Sequence, residues 1–450
     1  GNGSYSTADS YVKQVWDGRY TGIRMCNQLL ENIDRVPDLD PELKKRYIGE
    51  AKVLRAYSYY ELYTKFGDIP YTTKVLSIKE SMSIARTAKA TVIANVLADL
   101  DEVINGNYLP TSYDADNKGR ITRWAAMAIK AKIYLFEGNW TQVKNITSTI
   151  MTEGGFKLFG SYAGLFEIAN EYNSEVILDA QYRPTSREHQ MMYVFLPPTL
   201  GGYSQLSPLQ ELVDSYIMLD GKTIKETGTS FDESHPYANR DPRLKATVMY
   251  TGNSYTLADG TEVVINCEKG EGKDGYGVGS DCSATGYYIK KYWDNTYRAT
   301  LYSGLNPILI RYADILLMNA EALAELGELD KTAWDATIKP IRDRAGFTLA
   351  SALEFPEGAS KDKLIEIVRN ERRSELALEG HRHKDIIRWR IADNVLNGWC
   401  HGLKTNDVVG TDDGYVRVEN RTFNANRHYL WPIPQAERDL NGNLEQNPNW

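Results

Sequence analysis

The chain has 450 residues, 42% of them apolar and 25% charged, an ordinary globular composition long enough for one large domain or two intimately packed ones. Its 52 basic and 60 acidic residues leave a net charge of −8, which argues against a nucleic-acid binder, whose affinity rests on a basic surface. No run approaches the roughly 18 apolar residues of a membrane span, and residues 1–10 (GNGSYSTADS) are a polar lead-in without the character of a signal peptide.

Helices dominate the first third. Residues 11–35 place apolar or aromatic side chains at Tyr11, Val15, Ile23, Leu29, Leu30 and Ile33 before Pro37 closes the run. A strongly helical stretch over 43–66 stops at Gly67-Asp68-Ile69-Pro70, and 90–104 and 122–137 follow, with Thr122 and Thr141 as N-caps. From 154 to 306 the character changes to short β-branched runs (175–180, 244–250, 262–265, 287–293) among Gly, Pro, Asn and Tyr. Long irregular segments in a compact protein are usually functional, so these read as ordered binding loops. Helices return over 308–326, 330–345, 361–379 and 383–393, and a polar tail closes the chain. The expected organisation is a helical-hairpin scaffold (1–153), a loop-rich insert with short strands that forms the ligand face (154–306), and returning helices with the tail (307–450). The fold class is mainly α. Ala131 to Gly138 (AKIYLFEG) and Ala320 to Gly327 (AEALAELG) share a joint, Ala to Gly and then a new helix, that is the grammar of tetratricopeptide-like hairpins.

Thirty tyrosines and nine tryptophans exceed what a core needs. Their faces suit sugar rings and their polar atoms suit hydroxyls; the alternative is aromatic packing between helices. Tyr71 follows the Gly67–Pro70 turn, Tyr203 sits in Gly201-Gly202-Tyr203, and 287–297 reads YYIKKYWDNTY. On an alternating strand Tyr288, Lys290, Tyr292 and Asp294 fall on one side, and Ile289, Lys291 and Trp293 on the other. Trp293, Tyr297, Tyr71 and Tyr203 are the candidate stacking faces, and Asp294 and Asn295 the polar partners.

Residues 367–390, IVRNERRSELALEGHRHKDIIRWR, pose a separate question, because seven polar residues in succession interrupt an apolar helix pattern. On a helix, Leu364, Val368, Glu371, Glu375 and Leu378 share one stripe, so carboxylates occupy the face turned to the core. Buried charges persist only when paired, so these acids should each hold a partner, Arg372 or arginines from a neighbouring helix. An i,i+4 spacing sets the Cβ atoms of Glu371 and Glu375 about 5–6 Å apart, near the roughly 5 Å of a retaining glycosidase pair. Two acids on one ridge cannot flank a substrate, however, so the pattern reads as a structural network. His381 and His383 lack accompanying metal ligands. Gly270-Glu271-Gly272-Lys273-Asp274-Gly275 satisfies GxGxxG but opens no helix, as a phosphate site requires. No catalytic constellation and no cofactor motif stands out. Of four cysteines, Cys267 and Cys282 bracket a glycine-rich segment; in an oxidising compartment a bridge there, closing about 15 residues, would contribute roughly 3 kcal/mol.

Five segments then carry a resemblance: 51–70 (AKVLRAYSYYELYTKFGDIP), 240–244 (RDPRL), 310–321 (IRYADILLMNAE), 369–389, and 430–447. Together, in this order and spacing, they resemble the SusD/RagB family of Bacteroidetes outer-membrane proteins. The resemblance implies a right-handed superhelix of tetratricopeptide-like hairpins with a loop-rich remainder, and a lipid-anchored cell-surface protein. It implies binding of glycans or other nutrients, a SusC-like TonB-dependent transporter as partner, and no catalysis. ERRSELALEGHRHKD matches the family's ERRxELAxEGxRxxD signature, shared whatever the ligand, so Glu371, Arg372, Glu375, Glu379, Arg382 and Asp385 carry over as scaffold. The family's lipidated cysteine and first helical segment do not appear in this sequence, and 71–86, where relatives place part of a ligand loop, holds one aromatic. The rival readings are a protein-interaction scaffold with its aromatic loops packed inward, and a glycoside hydrolase with two opposed acids in a cleft.

Overall fold

The computed structural model describes residues 3–297 and 300–450. The chain divides into two compact units, one of Gly1–Gly154, His383–Asn397 and Arg421–Trp450, the other of Gly155–Arg382 and Gly398–Asn420.

Five long helices build the first unit: α1 (Ser10–Asn32), α2 (Pro41–Phe66), α3 (Lys89–Asn105), α4 (Arg123–Phe136) and α5 (Trp140–Glu153). Their starts follow from local chemistry. Asp9 accepts from the amides of Tyr11 and Val12, Asp40 from Leu43 with Pro41 at the first helical position, and Thr122 from Ala125. The cap of α5 is Asn139 rather than Thr141, two residues earlier than the sequence suggests, its side chain accepting from the Gln142 amide. α1 packs on α2, α2 on α3, and α4 on α5. Residues 58–64 of α2 are all buried, including Ser58, Glu61 and Thr64, which makes α2 the central helix. Glu61 is tolerated there because Lys65 (2.8 Å) and Lys384 (2.6 Å) pair with it. The hairpin grammar holds in backbone terms, since Gly138 and Gly327 both adopt left-handed φ of 71° and 75° beyond the helices they end.

The second unit mixes helices with small antiparallel pairs. β1 (Val176–Asp179) pairs with β6 (Ile308–Arg311), β2 (Val248–Met249) with β5 (Tyr288–Ile289), and β3 (Ser254–Thr256) with β4 (Glu262–Val264). β7 (Gly398–Lys404), β8 (Thr411–Asp412) and β9 (Tyr415–Arg421) form a three-stranded sheet in the order β7-β9-β8. Its helices are α6 (Pro242–Thr247), α7 (Tyr312–Leu326), α8 (Lys331–Ala336), α9 (Ile338–Ala345) and α10 (Lys361–Glu375), with shorter turns between.

Several boundaries differ from the sequence expectations. Residues 308–311 are strand, not helix, because they pair with β1 more than 120 residues earlier. The helix expected over 330–345 breaks at Thr337 into α8 and α9, and the one over 361–379 ends at Glu375, with Leu378 at φ 64° beyond it. The strand expected over 287–293 is two residues long: the chain turns after Ile289 and Tyr292 takes φ 63°, so side chains 290–294 do not alternate. The bridge between Cys267 and Cys282 is not formed. Cys267 is buried in an aromatic core, its thiol pushed up to about 12 by burial and by Asp274, while the Cys282 thiol donates to the Lys273 carbonyl. Backbone bonds from Gly270 to Tyr276 and from Tyr276 to Cys267 close the glycine-rich segment instead.

Candidate functional site

The polar run in 367–390 is settled by its partners. Glu371 meets Arg243 (2.7 Å) and Arg342 (2.8 Å), and Glu375 meets Arg311 (2.6 Å), Arg243 (2.8 Å) and Arg344. Glu379 meets Arg311 and Lys291, both at 2.7 Å. Arg243 also clasps Asp241, and Arg311 and Arg344 share Glu175. Five cations thus face five carboxylates, all nearly inaccessible to water, and beside them Arg372 pairs with Asp314 at 2.6 Å. Burial alone would raise each glutamate; the arginines outweigh it, lowering Glu371 and Glu375 and holding Glu379 at about 2. Burial lowers Lys291 to about 8 against the pull of Glu379. Glu371 and Glu375 sit side by side, sealed under guanidinium groups, so no substrate reaches between them. Asp385, in the first unit, pairs with Arg388 at 2.9 Å. Sequence reasoning placed the glutamates on the core face, but Arg342, Arg344, Glu175 and Lys291 carry no local sign of their role.

The aromatic candidates lie on a different surface. Met192, Leu196, Tyr216, Tyr255, Tyr287 and Tyr288 form a buried aromatic core in the second unit, and Tyr193, Leu200, Trp293 and Tyr297 lie half-buried against it. Trp293 is wedged between the rings of Tyr255 (5.1 Å) and Tyr297 (5.2 Å), and its indole N–H donates to the Thr256 carbonyl at 2.8 Å. The Tyr297 hydroxyl donates to the Leu200 carbonyl at 2.8 Å, which ties this turn to the Gly201-Gly202-Tyr203 segment. Gly202 is required there, since a Cβ would come within 2.1 Å of the Leu196 carbonyl oxygen. Tyr203, 40% exposed, stacks on Tyr193 at 4.3 Å, and its amide bonds the Tyr193 carbonyl. Asp294 is buried; its carboxylate accepts from the Thr296 amide and hydroxyl and from the Ser303 hydroxyl, so it shapes the turn and leaves Asn295 exposed at its tip. Tyr71 belongs to the first unit, where its ring lies 4.7 Å from Tyr59 and burial pushes its hydroxyl up to about 12.

Sequence reasoning missed one concave feature of this unit. A 510 Å³ cavity is lined by Tyr237 and Tyr250, stacked at 4.0 Å, with Pro236, His235, Glu268 and Lys404 around them. The two tyrosines lie 13 positions apart in segments with no shared pattern, so only the folded chain brings them together. Among the described residues there is no cluster of three or more His, Cys, Asp or Glu fit to hold a metal ion, and no helix long and apolar enough to cross a membrane.

Comparison with known proteins gives this geometry a family. The profile described as SusD family matches residues 165–450, well over half of the chain. The chain belongs to the SusD family. A second profile, described as starch-binding associating with outer membrane, matches 2–135. SusD-like protein P25 of Formosa agariphila is 28% identical over 409 residues, covering 86% of this chain and 71% of that one. SusD-like protein P2 of the same organism is 26% identical over 448 residues, covering 97% and 80%. Among solved structures, a SusD-like carbohydrate-binding protein of Bacteroides fragilis superposes with a TM-score of 0.89 at 29% identity, covering 99% of this chain and 88% of its own. A laminarin-binding SusD-like protein, at 24% identity and a TM-score of 0.67 over 97% of this chain and 85% of its own, shares the fold. The mainly helical, tetratricopeptide-like architecture expected from the sequence is therefore that of the SusD family.

Proposed function

We propose that this protein works without catalysis at the outer-membrane surface, binding oligosaccharide on the aromatic loops of its second unit and delivering it to a SusC-like TonB-dependent transporter. One observation carries the binding role. The Trp293 indole and Tyr297 hydroxyl are already held by hydrogen bonds to backbone carbonyls and Tyr203 by its stack on Tyr193, so little ordering cost opposes stacking on a sugar ring. Trp293 and Tyr297 supply apolar faces, Tyr203 an exposed ring, and Asn295 hydrogen bonds to hydroxyls, with Asp294 holding the turn. Against hydrolysis stands the burial of Glu371 and Glu375 under arginines, which leaves them no opposed geometry across a cleft. The delivery role rests on family membership. Affinity electrophoresis against plant, host and microbial polysaccharides tests the reading: one or a few glycans should retard the wild type, and Trp293→Ala should abolish the retardation. Unchanged retardation of Trp293→Ala assigns binding elsewhere, and the stacked Tyr237–Tyr250 cavity is then the place to substitute first.

A further inference from the structure

The first unit holds a cavity of its own, 720 Å³ in volume, walled by the C-terminal end of α2, by 387–390 and by the tail from 425 to 448. Cavities of about 300–1,000 Å³ accommodate small ligands. Five basic side chains line it (Arg86, Lys89, Arg388, Arg390, Arg427) against three acidic ones, in a chain that is acidic overall. Three of the five are committed to the fold. Arg86 donates to the carbonyls of Asp68 (2.8 Å) and Glu445 (2.9 Å) and to the Asn447 side chain (2.6 Å); Lys89 pairs with Glu137 at 2.9 Å, and Arg388 with Asp385.

Arg390 and Arg427 are different. Among the described residues neither has a carboxylate within ion-pair reach. Each guanidinium lies instead over an aromatic ring, Arg390 4.4 Å from the Tyr429 centroid and Arg427 3.8 Å from that of Trp450. The Arg427 Nε is buried without a hydrogen-bond partner, and so is the hydroxyl of Tyr63, which lines the same cavity. Arg390 takes a left-handed backbone, φ 56°, a conformation that costs a side-chain-bearing residue about 1 kcal/mol or more and that clusters at ligand clamps. A guanidinium laid flat on a ring keeps its N–H edge for a planar or tetrahedral oxyanion and is already ordered for the task.

We propose that this cavity binds a small ligand through an oxyanion, a carboxylate or a sulfate, held by Arg390 and Arg427 with the Tyr63 hydroxyl as a further donor. Phe136, Tyr429 and Leu430 give the body of the ligand an apolar wall. The site is separate from the aromatic loops of the second unit and does not depend on their role. Isothermal titration of the full chain at fixed ionic strength tests it, with sodium glucuronate, methyl glucoside and sodium sulfate as probes. Glucuronate should bind at least about tenfold tighter than methyl glucoside, the discrimination expected of a charge-assisted hydrogen bond. Arg390→Gln and Arg427→Gln should each weaken glucuronate about tenfold. Should a glutamine variant fail to fold, Arg427→Lys, which keeps the charge and loses the two-pronged geometry, should still bind more weakly than wild type. Sulfate binding as tight as glucuronate shows that the site reads the oxyanion alone; tighter glucuronate shows that it reads an acidic sugar. Absence of binding by both anions, equal binding of methyl glucoside, or unchanged affinity in the Arg390→Gln/Arg427→Gln double variant overturns the proposal.

Discussion

Glu375 accepts from three arginines at once, and removing its charge leaves each of them one carboxylate short in a water-free interior. Glu375→Gln should destabilise the protein by about 3–5 kcal/mol, the range for breaking a buried pair, read as a fall in the urea midpoint with secondary structure otherwise retained. The same carboxylates set an acid limit. Glu371, Glu375 and Glu379 ionise more readily folded than unfolded, where a glutamate sits near 4.5. Their stabilisation is therefore complete above that value and is lost as pH falls through the folded values, about 2 for Glu379. A urea midpoint measured against pH should hold steady from neutrality to about pH 5 and then fall steeply, the slope steepening where unfolded glutamates take up protons first. That these residues are structural was legible from their stripe on a helix. Their partners were not, since Arg243 lies 132 positions from Glu375 and nothing local couples the two.

At the level of elements, the glycines of the Tyr203 segment carry a testable demand. Gly202→Ala pushes a methyl against the Leu196 carbonyl, so the segment must shift and Tyr203 must leave its stack on Tyr193. The expected outcome is weaker glycan retardation and a loss of about 1–3 kcal/mol, as for other overpacked positions, read by electrophoresis and thermal unfolding of one sample. Helices of the first unit were readable to within a residue or two because caps, proline and apolar spacing agree there. The second unit was not. Residues 308–311 join a helix pattern in sequence, yet they pair with β1, and the sheet of β7, β8 and β9 comes from polar segments in which only Val416 and Val418 of β9 alternate. Pairing with a distant strand overrode local preference in both places. Trp293 and Tyr203 stood out in the sequence, whereas Tyr255 and Tyr193, the rings they pack against, did not.

At the scale of the second unit, three of the five segments that carried the family resemblance turn out to be neighbours. Arg243 comes from RDPRL, Arg311 from IRYAD, and Glu371 and Glu375 from ERRSE, and in the second unit they meet in a single charge network, with Arg372 of ERRSE and Asp314 of IRYAD paired beside it. The network reaches the aromatic turn through Lys291 alone, two residues before Trp293, and the Trp293 side chain takes no part in it, so binding and stability should largely separate. Trp293→Ala should abolish retardation at a cost of about 1–3 kcal/mol in unfolding free energy, less than Glu375→Gln, an outcome checked by running both measurements on the same preparation.

A balance of five positive against five negative groups also acts as a test of assembly. Hydrophobic surfaces tolerate many near-equivalent arrangements, but an arrangement that leaves out one of these segments buries an odd charge and is penalised heavily. Long, variable loops can then be threaded between the motif segments without blurring which helix meets which strand. The network thus serves as a lock that only the correctly gathered chain can close.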